Sequence, residues 1–142
     1  MPKLVIIYGS GFGNTGIMAK AIEEGAKSSG VDVVMKKILD AVPEDVENAD
    51  AIAIGTPTYK AAAMPNIINF VKKLADKPVK GKVGAAFGSY GWSGEGAGIV
   101  SDMLKSYGMD VIDPDLRIKR TPEDEGIEVC RELGKLLADR IK

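Results

Sequence analysis

The residues with chemical potential in this chain are small, mostly neutral, and gathered in three stretches. "GSGFGNTG" (9–16) follows the apolar run "KLVIIY" (3–8) and offers Ser10, Asn14 and Thr15 among four glycines. "GTPTYKAAAMP" (55–65) adds Thr56, Thr58 and Tyr59, and "GSYGWSGEG" (88–96) adds Ser89, Tyr90 and Trp92. There is no histidine and one cysteine, Cys130. A zinc or non-haem iron site would therefore rest on carboxylates alone, and no acidic cluster is arranged for one. Glu95 is one carboxylate in the third stretch, which is weak evidence for catalysis, so no catalytic acid, base or nucleophile emerges.

The first stretch contains a literal G-x-G-x-x-G at Gly11, Gly13 and Gly16. A dinucleotide site would need a carboxylate at the end of the second strand, where Lys36 and Lys37 stand. A Walker A loop would need Lys and Ser/Thr where Ile17 and Met18 stand. A third reading uses more of the residues. The hydroxyl and amide groups of Ser10, Asn14 and Thr15, with the backbone N–H groups of residues 11–15, converge on one anion at a helix N-terminus. With no Lys or Arg in the loop, this suits a held monophosphate and not phosphoryl transfer, which wants Mg²⁺ and a cationic clamp. The plain alternative is a glycine-rich turn that holds nothing.

Aromatic residues are only 6% of the chain, yet Tyr59, Tyr90 and Trp92 fall in the second and third stretches. They are either surface aromatics or two walls around a flat ring such as an isoalloxazine. Stacking adds roughly 0.5–1.5 kcal/mol per aromatic contact.

These loops need a frame. The 142 residues, 45% apolar and 27% charged, fit one soluble domain, 1–142. Net charge −1 leaves no basic footprint for nucleic acid. No apolar run approaches a membrane span and no leader stands at the start, so a cytoplasmic setting is expected. Strands are predicted at 3–8, 31–36, 50–57, 82–89 and 109–114, the last continuing through "LRIK". Helices are predicted at 14–29, 65–75, 94–107 and the C-terminal segment. Ile17, Ala21, Ile22 and Gly25 should face inward on the first helix. Ile67, Ile68, Val71 and Leu74 do so on the second. The last helix should be capped by Thr121 with Pro122 at its first position, and buried through Val129, Cys130, Leu133, Leu136, Leu137 and Ile141. Strands alternating with helices imply a parallel, doubly wound sheet with helices on both faces. A receiver-type fold would need acidic residues where Gly9–Ser10 and Gly55–Thr56 stand.

The whole chain resembles a short-chain flavodoxin domain. "YGSGFGNT", "GTPTY" and "AAFGSYGWSG" in particular resemble the FMN domain of flavodiiron proteins (A-type flavoproteins). The resemblance implies a flavodoxin-like three-layer α/β/α sandwich, its five-stranded parallel sheet in the order 2-1-3-4-5. It implies FMN held by Ser10, Gly11, Phe12, Gly13, Asn14 and Thr15 at the phosphate. Thr56, Pro57, Thr58 and Tyr59 would line one side of the ring, and Ser89, Tyr90, Gly91, Trp92 and Gly94 the other. The family's diiron-binding domain has no counterpart, and without histidine its oxygen or nitric oxide chemistry is not implied. The expected function is an electron carrier between redox protein partners, with no nucleic acid and no membrane. The alternative is an FMN-dependent NAD(P)H:quinone or flavin-type oxidoreductase, for which a homodimer would complete the site. Lys60 is either a solvated cation or a charge that raises the flavin's two-electron potential.

Overall fold

The computed structural model describes residues 2–9, 13–59, 62–91 and 94–142, with Tyr59 described through its backbone. The chain runs β1 (Lys3–Tyr8), α1 (Asn14–Ser28), β2 (Asp32–Lys37), β3 (Ala51–Gly55), then a short hairpin β4 (Thr58–Tyr59) and β5 (Ala62–Ala63). It continues with α2 (Pro65–Lys73), β6 (Val83–Tyr90), α3 (Glu95–Ser106), β7 (Asp110–Val111), β8 (Leu116–Lys119) and α4 (Asp124–Ile141). The main sheet runs β2-β1-β3-β6-β7, with β8 also paired to β6, and every pairing in it is parallel. This is the expected flavodoxin-like order, 2-1-3-4-5, with β7 and β8 sharing the fifth place.

Alternation along the strands splits the core in two. Leu4, Ile6 and Tyr8 pack with Met18, Ile22, Cys130 and Leu137 under α1 and α4. Val5 and Ile7 pack with Ile52, Ile54, Ile67, Val71 and Leu104 under α2 and α3. Strands sandwiched this way must be apolar at successive positions, which is why "LVII" and "AIAI" carry no polar residue. Burying each large side chain contributes about 1.5–3 kcal/mol.

α1 and α4 meet main chain to main chain. A Cβ on Gly25 would strike the Arg131 carbonyl oxygen, and one on Gly134 would strike that of Ile22. The two glycines are therefore reciprocal.

Several expectations need correction. α4 starts at Asp124 with Glu123 at the N-cap in extended backbone, and no side chain caps it. Thr121 and Pro122 precede the helix. The chain leaving β8 first turns through Arg120 at φ 60 and then buries Pro122, so winding begins later. The buried face of α4 is Cys130, Gly134, Leu137 and Ala138, set by the glycine contact with α1. Val129 and Leu136 sit off that seam, 49% and 40% exposed, and Ile17 of α1 is 40% exposed. Glu23 is buried, paired to Lys20 at 3.2 Å and to Lys27 at 3.4 Å. The connection from β2 to β3 carries two 3₁₀ turns, Ile38–Asp40 and Pro43–Val46, instead of an α-helix. The fifth strand is interrupted over residues 112–115, so β7 pairs with the start of β6 and β8 with its end. Cys130 is a core residue as expected, and burial pushes its thiol up to about 12.

Candidate functional site

The three sequence stretches meet at the carboxyl ends of β1, β3 and β6, where open parallel sheets bind ligands. Gly9 begins the first loop, and its N–H donates to the Gly55 carbonyl at 3.0 Å, tying the exits of β1 and β3 together. Gly13 then opens α1 in the left-handed region, φ 88 and ψ −9, a conformation glycine adopts without steric cost. Its carbonyl accepts the Ile17 N–H at 3.0 Å; Gly13 has no side chain to cap the helix, and the first turn carries no acid. A 15-residue helix thus presents its electropositive N-terminus at the rim.

Thr15, one turn in, is buried and points across to the third loop. Its hydroxyl and that of Ser89 lie 2.8 Å apart, and the Ser89 N–H reaches Thr15 Oγ1 at 3.4 Å. Both residues are almost fully enclosed, so each hydroxyl satisfies the other where water cannot.

The second loop is shaped by its two threonines. Thr56 is wholly buried; its N–H donates to the Phe87 carbonyl at 3.0 Å, and its hydroxyl donates to the Pro57 carbonyl at 2.9 Å. The same oxygen accepts the Met64 N–H at 2.9 Å, which closes the hairpin β4–β5 back onto β3. Thr58 Oγ1 accepts the Gly96 N–H at 2.8 Å and so caps α3 from a distance. Gly88 allows this approach, because a Cβ there would strike the Thr56 carbonyl oxygen. In the third loop Tyr90 is half-buried and Gly91 exposed, and the Tyr90 carbonyl accepts the Arg120 N–H at 2.6 Å.

Of the residues expected from sequence, Gly13, Asn14, Thr15, Thr56, Pro57, Thr58, Ser89, Tyr90, Gly91 and Gly94 come to this rim, with Tyr59 placed in β4 by its backbone. Ser10, Gly11, Phe12 and Trp92, and also Lys60, lie outside the described residues. Sequence reasoning missed the neighbours of the first loop. A cavity of about 540 Å³ there is lined by Tyr8, Gly9, Gly13, Gly16, Lys37, Ile38, Leu39, Met64 and Asn66. The apolar "IL" after two lysines was its only sequence signal. A larger, open depression of about 980 Å³ lies against Ile118–Gly126, walled by surface charges, on the strand that pairs with Ser89 and Tyr90.

Chemically, the described rim offers neutral hydrogen-bond donors, a helix N-terminus and an aromatic ring. Glu95, exposed in the first turn of α3, is a carboxylate beside it. Among the described residues no group of three His, Cys, Asp or Glu could hold a metal ion. No described helix is long and apolar enough to cross a membrane.

The flavodoxin family profile matches residues 6–134. The type A flavoprotein fprA of Rhodobacter capsulatus is 38% identical over 97% of this chain, which corresponds to 33% of fprA. The chain thus spans about a third of the length of the curated relatives it matches. A flavodoxin from the domain Archaea superposes with a TM-score of 0.95 at 37% identity, covering 98% of both chains. The two-electron reduced flavodoxin of Megasphaera elsdenii gives 0.83 at 34% identity, over 96% of this chain and 98% of its own.

Proposed function

The chain belongs to the flavodoxin family, flavin-binding redox proteins whose cofactor is FMN, and from that premise we propose that it carries electrons between redox proteins. The observation that carries the reading is the hydroxyl cross-tying of the loops, Thr15 to Ser89, Thr56 to Met64 and Thr58 to Gly96, at one rim of the sheet. A rim so built holds and orients a group, and the redox chemistry arrives with what it binds.

The residues present fit FMN. Gly13 leaves open space where a Cβ would be, and the electropositive start of α1, with no acid in its first turn, suits a phosphate dianion. In this reading Ser10, Gly11, Phe12, Gly13, Asn14 and Thr15 hold the phosphate. Thr56, Pro57, Thr58 and Tyr59 orient one side of the ring, and Ser89, Tyr90, Gly91, Trp92 and Gly94 the other. FMN when bound supplies the redox step. The chain supplies grip, orientation and exclusion of water, with Tyr59, Tyr90 and Trp92 as the apolar walls. Residues 1–142 act as one flavin-binding unit. Redox protein partners and a cytoplasmic setting belong to the same reading.

The test is a titration of apoprotein with FMN and with riboflavin, which lacks the phosphate. FMN should bind more tightly by on the order of a hundredfold. Equal affinities would sink the phosphate assignment. Turnover of NAD(P)H with a quinone at an ordinary enzymatic rate, about 10 s⁻¹, would move the protein from carrier to enzyme.

A further inference from the structure

We propose that Arg117, on β8, is a positioning residue for the third loop and so for the flavin ring it would face; the flavin part rests on the reading above. β8 pairs with the last turn-bearing end of β6, Ser89 opposite Ile118 and Tyr90 opposite Lys119. From there Arg117 lies across the first two turns of α3 where side chains are missing. A Cβ on Gly94 would sit 2.8 Å from Arg117 Cδ and 3.2 Å from Tyr90 Cδ1. A Cβ on Gly98 would sit 2.6 Å from Arg117 Nη2. The arginine stem and the tyrosine ring therefore share one bare glycine shelf.

The guanidinium is held in place from the other side. Arg117 Nε donates to Asp115 Oδ2 at 2.6 Å and Nη2 to Oδ1 at 3.5 Å, and the Asp115 side chain is only 13% exposed. An ordinary surface ion pair would contribute little and would need no cleared shelf. Here the planar fork is fixed at two points, so the stem cannot swing away from Tyr90 without breaking both. A second hold comes from the same segment. Arg120 adopts φ 60, unusual for a side-chain-bearing residue, and its N–H donates to the Tyr90 carbonyl at 2.6 Å. The Tyr90 ring and the Arg117 stem thus lie over the same glycine, and the Tyr90 carbonyl is held by Arg120, both arginines coming from outside the three loops. Asp115 stands one residue before β8 and two before Arg117, a spacing that puts both side chains on one side of extended chain.

The experiment compares wild type with Arg117→Ala, Arg117→Lys and Gly98→Ala. It reads FMN affinity, the flavin midpoint potential, and amide hydrogen exchange at residues 89–91 and 120 in the apoprotein. Arg117→Ala should weaken FMN binding about tenfold, shift the potential, and speed exchange at those amides. Gly98→Ala should do the same while leaving the arginine in the chain, because its methyl takes the place of Nη2. Arg117→Lys keeps the stem on the shelf and should recover most of the affinity. Unchanged affinity, potential and exchange in both Arg117→Ala and Gly98→Ala overturn the proposal. If wild type fails to bind FMN, the functional reading falls, and exchange in the apoprotein still decides whether Arg117 braces the loop. Should Arg117→Ala not fold, Gly98→Ala carries the same measurements.

Discussion

The two ends of the sheet are held by different chemistry. At the carboxyl end, neutral hydroxyls join the loops: Thr15 with Ser89, Thr56 with Pro57 and Met64, and Thr58 with Gly96. At the amino end, charges do the joining. Asp50 accepts the Lys3 N–H at 2.9 Å, Lys82 donates to the Val46 and Glu47 carbonyls at 3.0 and 2.9 Å, and Lys77 bridges Glu44 and Glu47. The amino end is exposed and water shares its interactions, so single changes there cost little. The carboxyl end is dry, and a missing partner leaves a buried polar atom. A rim meant to receive a dianion gains from this division, since neutral hydroxyls join its loops.

The largest expected contrast lies on one strand. Gly88→Ala, at the carboxyl end of β6, drives a methyl into the Thr56 carbonyl and should cost about 3 kcal/mol in denaturant unfolding. Gly84→Ala, four residues nearer the amino end, comes closest to the movable Met109 Cε at 2.9 Å and should cost under about 1 kcal/mol. Equal costs would break the comparison. Next, Thr15→Val strands the Ser89 hydroxyl and should cost about 2 kcal/mol, while Thr15→Val combined with Ser89→Ala should cost less than the sum of the two single changes. Thr58→Val removes the remote cap of α3 and should cost about 1 kcal/mol, with thermal unfolding as the measure.

The smallest effect belongs to the amino end. Burial, opposed by Asp50 and Glu47, holds the Lys82 ammonium below the ordinary lysine range. The folded state therefore binds fewer protons just below pH 10.5 than the unfolded state does. Stability at this residue improves as pH rises through that window. Lys82→Met should change neutral-pH stability by under about 1 kcal/mol, remove that alkaline gain, and leave FMN affinity untouched. A loss of flavin binding on this substitution would show that the two ends are not independent.

Much of this was readable in advance because it is local. β1 follows from an unbroken apolar run, α1 from its period, and the loops from glycine, hydroxyl and aromatic residues at strand exits. Gly30 takes φ 86 just past α1, a turn that glycine allows. What escaped depends on distant partners. Thr15 and Ser89 are 74 positions apart, and nothing near either announces the bond. Val129 and Leu136 have the spacing of core residues, yet the Gly25–Gly134 contact turns α4 so that they face outward. Thr121–Pro122 reads as a helix start, but the turn at Arg120 and the burial of Pro122 use those residues first. The fifth strand looked continuous because "MDVIDP" and "LRIK" both favour extended chain, while its two parts pair with opposite ends of β6.

The glycine contact between α1 and α4 has a mechanical side. Two helices seated backbone on backbone at Gly25 and Gly134 cannot shear past one another by repacking side chains, because no side chain stands between them there. They form a stiff slab behind β1, with α1 rooted in it. Whatever yielding the rim needs when it takes up or releases its cargo must come from the opposite flank, where α2 and α3 rest on the sheet through deformable side chains.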